Sequence, residues 1–227
     1  MIQKIIFDFD DTIADNQLLD YMAFDIPCKK LDIKVPTRNK IRNGRKKGLL
    51  AKDIIVPYLE KSKSTTENRF FYLRNQFLNN TNCSKYLQPQ KNLRLLLENL
   101  KDRKIECIIC SSKENKNIII KFLEESDLID YFSAIYVNSD LGFQLDNHGK
   151  ENRVLIKRSL LHSILKKEKE EIVFIGNFED YEASRGLRLK FIYYQNSYLE
   201  FHNLKQTITV KDMIQLNRTI NQLGNTK

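Results

Sequence analysis

Cysteine is scarce in this chain of 227 residues: there are four, at positions 28, 83, 107 and 110, with no spacing that suggests a disulfide framework. A reduced interior and a cytoplasmic location are therefore expected. The chain also lacks an uninterrupted apolar run of the roughly 18 residues that a membrane span requires, and no charged-then-apolar leader follows Met1. A soluble protein without a membrane partner is expected. The three histidines, His148, His162 and His202, are too scattered to suggest shared chemistry, and neither internal repeat nor low-complexity linker is present. Acid is missing from one strongly basic stretch. Lys34 to Lys52 holds eight basic residues and no Asp or Glu, almost enough to account for the net charge of +9. That stretch also lacks Phe, Tyr and Trp, the stacking groups that single-strand nucleic-acid binders place beside their charges. A solvated basic face is the better reading, and nucleic acid is not the favoured partner.

Short β-type runs alternate with helical patterns, the mark of an α/β fold with a parallel sheet and helical crossovers. The runs are Lys4 to Phe9, Ile105 to Cys110, Ala134 to Val137, Ile172 to Ile175 and Lys190 to Tyr194. Leu93, Leu96, Leu97 and Leu100 keep helical spacing, as do Ile119, Phe122 and Leu123, then Leu160, Leu161, Ile164 and Leu165. A last helix is expected from about Val210 to Leu223, capped by Thr209 and stopped at Gly224. About ninety residues separate the first two strands, far more than a crossover needs. An insertion is expected over residues 15–84, mainly helical, with breaks at Pro27, Pro36, Asn43-Gly44 and Gly48. The rest, residues 1–14 and 85–227, is expected to form the α/β domain.

The first strand runs straight into three aspartates, Asp8, Asp10 and Asp11. Alternation along a strand lets Asp8 and Asp10 share one side while Phe9 packs the other way. Paired carboxylates at the carboxyl end of a parallel strand sit where open α/β sheets bind ligands, and they repel unless a cation or a proton intervenes. Bound Mg²⁺, a raised pKa, or both follow, and the arrangement suits phosphoryl transfer. Cys107 and Cys110 should face opposite ways on their strand as buried thiols.

The run FDFDDTI resembles the first signature of the haloacid dehalogenase superfamily, Asp-x-Asp-x-Thr behind an apolar strand. CIICSSKEN, NHGKEN and VFIGNFEDYEAS resemble its further signatures, in order and on the expected elements. The resemblance implies a Rossmann-like core, a helical cap inserted after the first motif, Mg²⁺ as cofactor and an aspartyl-phosphate intermediate. It implies Asp8 as nucleophile, Asp10 as acid and then base, and Thr12 as a brace. Ser111, with Ser112 beside it, and Lys150 would hold the phosphate, Lys157 being the alternative lysine. The metal would be held by Asp8, Asp10 and an acid of the fourth motif. There Asn177 stands where an acid is usual, a neutral oxygen ligand that lowers the charge, and Asp180 is preferred to Glu179 as the acid. Asp11 falls where the family commonly has Gly and is expected to face water; Asp15 should cap the first inserted helix. In the turn from Arg42 to Gly48, Arg42 and Arg45 are the expected specificity residues, able to clamp a second phosphate or carboxylate.

The implied activity is a Mg²⁺-dependent phosphatase acting on a small phosphorylated metabolite, such as a sugar phosphate, phosphoglycolate or nucleotide, in a monomer. Alternatives are a phosphomutase of the β-phosphoglucomutase type, a nucleic-acid end phosphatase, or a basic binding protein with weak or no catalysis. Dehalogenation and phosphonate hydrolysis are disfavoured because those branches do not need the second acid, and Asp10 is present.

Overall fold

Apolar side chains cover both faces of the first strand, β1 (Lys4–Phe7), and all four of its residues are buried, as a central strand of a parallel sheet requires. The computed structural model describes residues 2–59, 64–142, 149–166, 171–205 and 207–225. After β1 come a two-residue strand, β2 (Ala14–Asp15), and helices α1 (Gln17–Lys30), α2 (Arg38–Lys46), α3 (Ala51–Ile55) and α4 (Ser64–Leu78). A second short strand, β3 (Gln88–Pro89), leads to α5 (Leu93–Asp102), β4 (Glu106–Cys110), α6 (Lys116–Glu125) and β5 (Ala134–Tyr136). The chain finishes with α7 (Lys150–Leu165), β6 (Ile172–Gly176), α8 (Phe178–Ser184), β7 (Lys190–Tyr194), β8 (Ile208–Val210) and α9 (Met213–Asn225).

Six strands form one parallel sheet in the order β5-β4-β1-β6-β7-β8. The chain builds outward from β1 to β4 and β5, then crosses back to place β6 on the other side of β1. That reversal opens a crevice beyond the carboxyl end of β1, the usual ligand position in such sheets. Alternation sorts the side chains into two layers. Ile5, Phe7 and Phe9 enter the layer of α5, α6 and α9, whereas Ile6 enters that of α7 and α8. Cys107 and Cys110 divide in the same way, and all four thiols are buried and free.

The inserted helices carry an apolar cluster of their own, built on Phe24, Cys28, Ile41, Ile54, Ile55 and Phe70. Pro27 does not break α1, because its neighbours Phe24 and Cys28 are buried in this cluster. Nor does Asn43-Gly44 break α2: a Cβ on Gly44 would lie 2.9 Å from the Ile54 side chain, so glycine there lets α3 approach. The expected basic turn is thus largely helix. At its base the insertion is tied by an antiparallel bridge, Ala14 with Pro89 and Asp15 with Gln88. Asn16 takes the cap position of α1, and Asp15 accepts from the Gln17 amide at 2.9 Å. Strand β8 takes up Thr209 and Val210, so α9 starts later than expected, with Asp212 accepting from the Gln215 amide at 2.8 Å and Gly224 inside the last turn. His148 lies outside the described residues.

Candidate active site

Asp8 leaves the end of β1 held by its amide, which donates to the Ile175 carbonyl at 2.8 Å. It shares the parity of Ile6 and so points toward α7. The buried stripe of that helix is Ile156, Leu160, Leu161 and Ile164, and Lys157 sits within it. Its Nζ reaches Asp8 Oδ1 at 2.6 Å and also Asp180 Oδ1, all three side chains being almost wholly buried. Lys150 does not make this contact. It lies seven residues earlier, about 10 Å along the helix axis, with its Nζ 4.5 Å from the Phe178 ring at the cavity wall. The lysine on the acids is therefore Lys157, the residue of the stripe at strand level.

Asp180 owes its place to α8. Its Oδ2 accepts from the Asn177 amide at 2.8 Å, the return half of a capping box in which Asn177 Oδ1 accepts from the Glu179 amide at 2.8 Å. Both Asp180 oxygens are thereby engaged and the side chain is fully buried. It braces Lys157 instead of facing the cavity. The Asn177 carboxamide donates to Asp8 Oδ2 at 3.2 Å, and the Thr12 hydroxyl approaches the same oxygen at 3.4 Å.

Asp10 is paired with Lys113 at 2.9 Å and accepts from the Asn16 carboxamide at 2.7 Å. Asp11 departs from expectation. It is buried, not turned to water, because its backbone is left-handed (φ 60°), the conformation that makes glycine the easier residue there. Its carbonyl accepts from Gln90 at 3.4 Å and Asn196 at 3.0 Å. Burial, reinforced by the Asp10 charge, pushes its carboxyl up to about 8. Ser111 is fully buried at the end of β4, its hydroxyl accepting from the Lys113 amide at 3.2 Å, while Ser112 lines the cavity.

One lysine between two buried carboxylates cannot neutralise both. Burial raises the Asp8 carboxyl well above the usual range, Asp180 adds to the rise, and Lys157 opposes it. Asp180 is raised by burial against the same lysine. Burial works against the Lys157 charge, yet Asp180 and Asp8 together hold it above the ordinary lysine range. Arg153 is bound to Glu179 through Nε at 2.8 Å and Nη2 at 2.5 Å. Four acids (Asp8, Asp10, Glu179, Asp180) thus meet three cations (Lys113, Lys157, Arg153).

Asp8, Asp10, Asn177 and Glu179 line one cavity of about 300 Å³. Among the described residues, no three His, Cys, Asp or Glu side chains are assembled as a metal site. Mg²⁺ nonetheless needs only one or two carboxylates and keeps several waters, so a hard-oxygen set short of positive charge fits it. The expected specificity arginines do not face this space freely. Arg42 lines a separate cavity with Asp15, Tyr21 and Gln88. Arg45 spends its guanidinium on Asp20, through Nε and Nη2 at 2.8 Å each, and on the Leu49 carbonyl at 3.0 Å.

The family model of the haloacid dehalogenase-like hydrolases matches residues 5–194. The chain belongs to this family. Among solved structures of haloacid dehalogenase-like proteins it resembles a superfamily hydrolase of subfamily IA, variant 1, from Geobacter sulfurreducens. That match has a TM-score of 0.71 and 14% identity, over 98% of this chain and 97% of the other. CbbY from Rhodobacter sphaeroides, in complex with phosphate, gives a TM-score of 0.65 at 14% identity, over 95% and 96%. YfnB from Bacillus subtilis, bound to magnesium and described as showing interdomain movement, gives 0.66 at 17%, over 97% and 99%. At such identities the likeness establishes the fold. No curated protein matches significantly. No helix among the described residues is long and apolar enough to cross a membrane.

Proposed function

We propose that this haloacid dehalogenase-like hydrolase is a Mg²⁺-dependent phosphatase that forms an aspartyl phosphate on Asp8. The observation that carries the reading is the Lys157 contact with Asp8 and Asp180 at the mouth of β1, with Asp10 two residues on and lining the same cavity. Lys157 aims the Asp8 oxygen and supplies positive charge beside the transferring phosphoryl group. Asp8 attacks phosphorus and the bond to the leaving oxygen breaks, while Asp10 delivers a proton to that oxygen. Water then attacks the phosphorus of the aspartyl phosphate, Asp10 takes its proton, and Asp8 is released together with inorganic phosphate. Lys113, on Asp10, holds that carboxyl in register for both transfers. The Ser112 hydroxyl and the Lys150 ammonium line the cavity as further partners for phosphate oxygens.

Mg²⁺ would be held by the Asp8 carboxylate and the Asp10 carbonyl; the Asn177 oxygen is taken by the Glu179 amide, and Asp180 acts one step removed through Lys157 and the Asn177 amide. When bound it supplies charge neutralisation, favouring ionised Asp8 and the approach of an anionic phosphate. The inserted helices form the roof, since Arg45, Leu49 and Leu50 line the cavity opposite the acids. The test is hydrolysis of p-nitrophenyl phosphate and a panel of phosphate monoesters with and without Mg²⁺. Turnover should require the metal, and Asp8→Asn should lower it by at least about a thousandfold. Turnover of the variant equal to that of the wild type would overturn the reading.

A further inference from the structure

The space beside the acids extends into a second cavity of about 610 Å³ under the inserted helices, and the two share Asp10, Asp11, Arg45, Ser112 and Arg153 as lining. Three arginines converge on this second cavity: Arg45 of α2, Arg74 of α4 and Arg153 of α7. Two of them are matched. Arg45 is clamped on Asp20 and Arg153 on Glu179, each through two nitrogens. Arg74 is not matched in this way. Its Nη2 stands 3.7 Å from Asp20 Oδ1, a carboxylate already taken by Arg45 and by the Tyr198 hydroxyl at 2.6 Å. Its Nε is buried with no hydrogen-bond partner.

The Arg45–Asp20 and Arg153–Glu179 pairs leave Arg74 with only a distant share of Asp20. The imbalance registers on Arg74, which burial pulls down to about 10 against the pull of Asp20, with Arg45 and Arg153 repelling it. Packing offers little return for this cost. Phe24 faces both Arg45 and Arg74 at 5.9 Å, the outer edge of a useful cation–π contact. Removing Arg74 would leave a matched Arg45–Asp20 pair. A buried, half-satisfied cation lining a cavity that adjoins a phosphoryl-transfer site is a receptor for an anion.

We propose that Arg74 binds a second anionic group, a carboxylate or a phosphoryl group, on the leaving-group side of the substrate. The substrate is then a phosphate monoester that carries another anion. The inference rests on the phosphatase reading for the place of the first phosphate, and it assigns specificity to α4 instead of to Arg42 and Arg45. Asn75, the next residue of α4, and Asn79, just past its last residue Leu78, line the same cavity and suit the polar chain between the two anions.

Binding measured by calorimetry on the full chain with Mg²⁺ tests it. The probes are phosphonoalkanoates and bisphosphonates with one to three methylene groups, against alkylphosphonates of matched length. At least one doubly anionic probe should bind the wild type about tenfold more tightly than its matched alkylphosphonate. The series that gains names the anion. Arg74→Gln should abolish the preference and Arg74→Lys should keep most of it. No preference in the wild type, or an equal one in Arg74→Gln, would overturn the proposal, and the wild-type comparison holds even if a variant folds poorly. Phosphonates have no ester bond to hydrolyse. Failure of turnover with this preference intact would therefore count against the phosphatase reading alone.

Discussion

Asn177 serves three partners from one residue. Its amide N–H holds Asp180, its side-chain oxygen caps α8, and its side-chain nitrogen donates to Asp8. An aspartate could keep the first two contacts but would set another carboxylate against Asp8, which already shares Lys157 with Asp180. Asn177→Asp should therefore destabilise the metal-free protein and bind Mg²⁺ about tenfold more tightly, since one added charge at a few ångströms is worth a kcal/mol or more even when screened. Thermal unfolding with and without Mg²⁺, and calorimetry with the metal alone, check both halves; unchanged affinity would refute the charge argument. Asp8 and Asp10 were legible from alternation behind an apolar strand. Lys157 keeps helical spacing with Leu160, Leu161 and Ile164, but so do Lys150 and Arg153 with Lys157, and the resemblance points to Lys150, so spacing alone does not single out the lysine that reaches the acids. Asp11 was misread because sequence does not show a left-handed backbone, and it is that turn which folds the side chain inward.

At the scale of elements, the join between β6 and α8 is the tightest part of the site. A Cβ on Gly176 would lie 2.4 Å from Asp180 Oδ2 and 2.7 Å from its Cβ, so the capping box closes only over glycine. Gly176→Ala should cost about 1–3 kcal/mol by overpacking and lower turnover by loosening Asp180 from Lys157. Urea unfolding and single-turnover kinetics on the same preparation would show both; loss of stability alone would mean that Asp180 does not position Lys157. All five nominated strands form, and the β-branched and aromatic runs of β1, β4 and β6 are buried almost throughout. β8 escaped notice as three residues with one buried side chain at the sheet edge. Pro27 and Gly44 misled for one reason: a buried face and a close helix approach outweighed local propensity.

Across the whole molecule, Asp20 joins the two parts of the chain. It lies on α1, accepts from Arg45 of α2, stands near Arg74 of α4, and takes the Tyr198 hydroxyl from the segment after β7. Burial opposes its ionisation, but the two arginines and the tyrosine hydrogen bond outweigh that and hold the carboxyl below the usual range. A lowered folded-state pKa gives stability that is present above the unfolded value of about 4 and lost as pH falls through the folded one. Asp20→Asn should thus cost about 3–5 kcal/mol at pH 7, with the gap to wild type closing below about pH 4. Urea titrations at pH 7, 5 and 3 measure it, and a gap independent of pH would show that the charge is not the source. The bridge of Ala14 with Pro89 and Asp15 with Gln88 has a different reach. Both ends of the roof are pinned side by side, so apart from side-chain ties such as that of Asp20 to Tyr198 it joins the sheet as a closed hairpin base. Doubling the length of a flexible connection costs only about 0.6 kcal/mol in closure entropy, so this base is a socket at which lineages could exchange one roof for another without disturbing the register of β1.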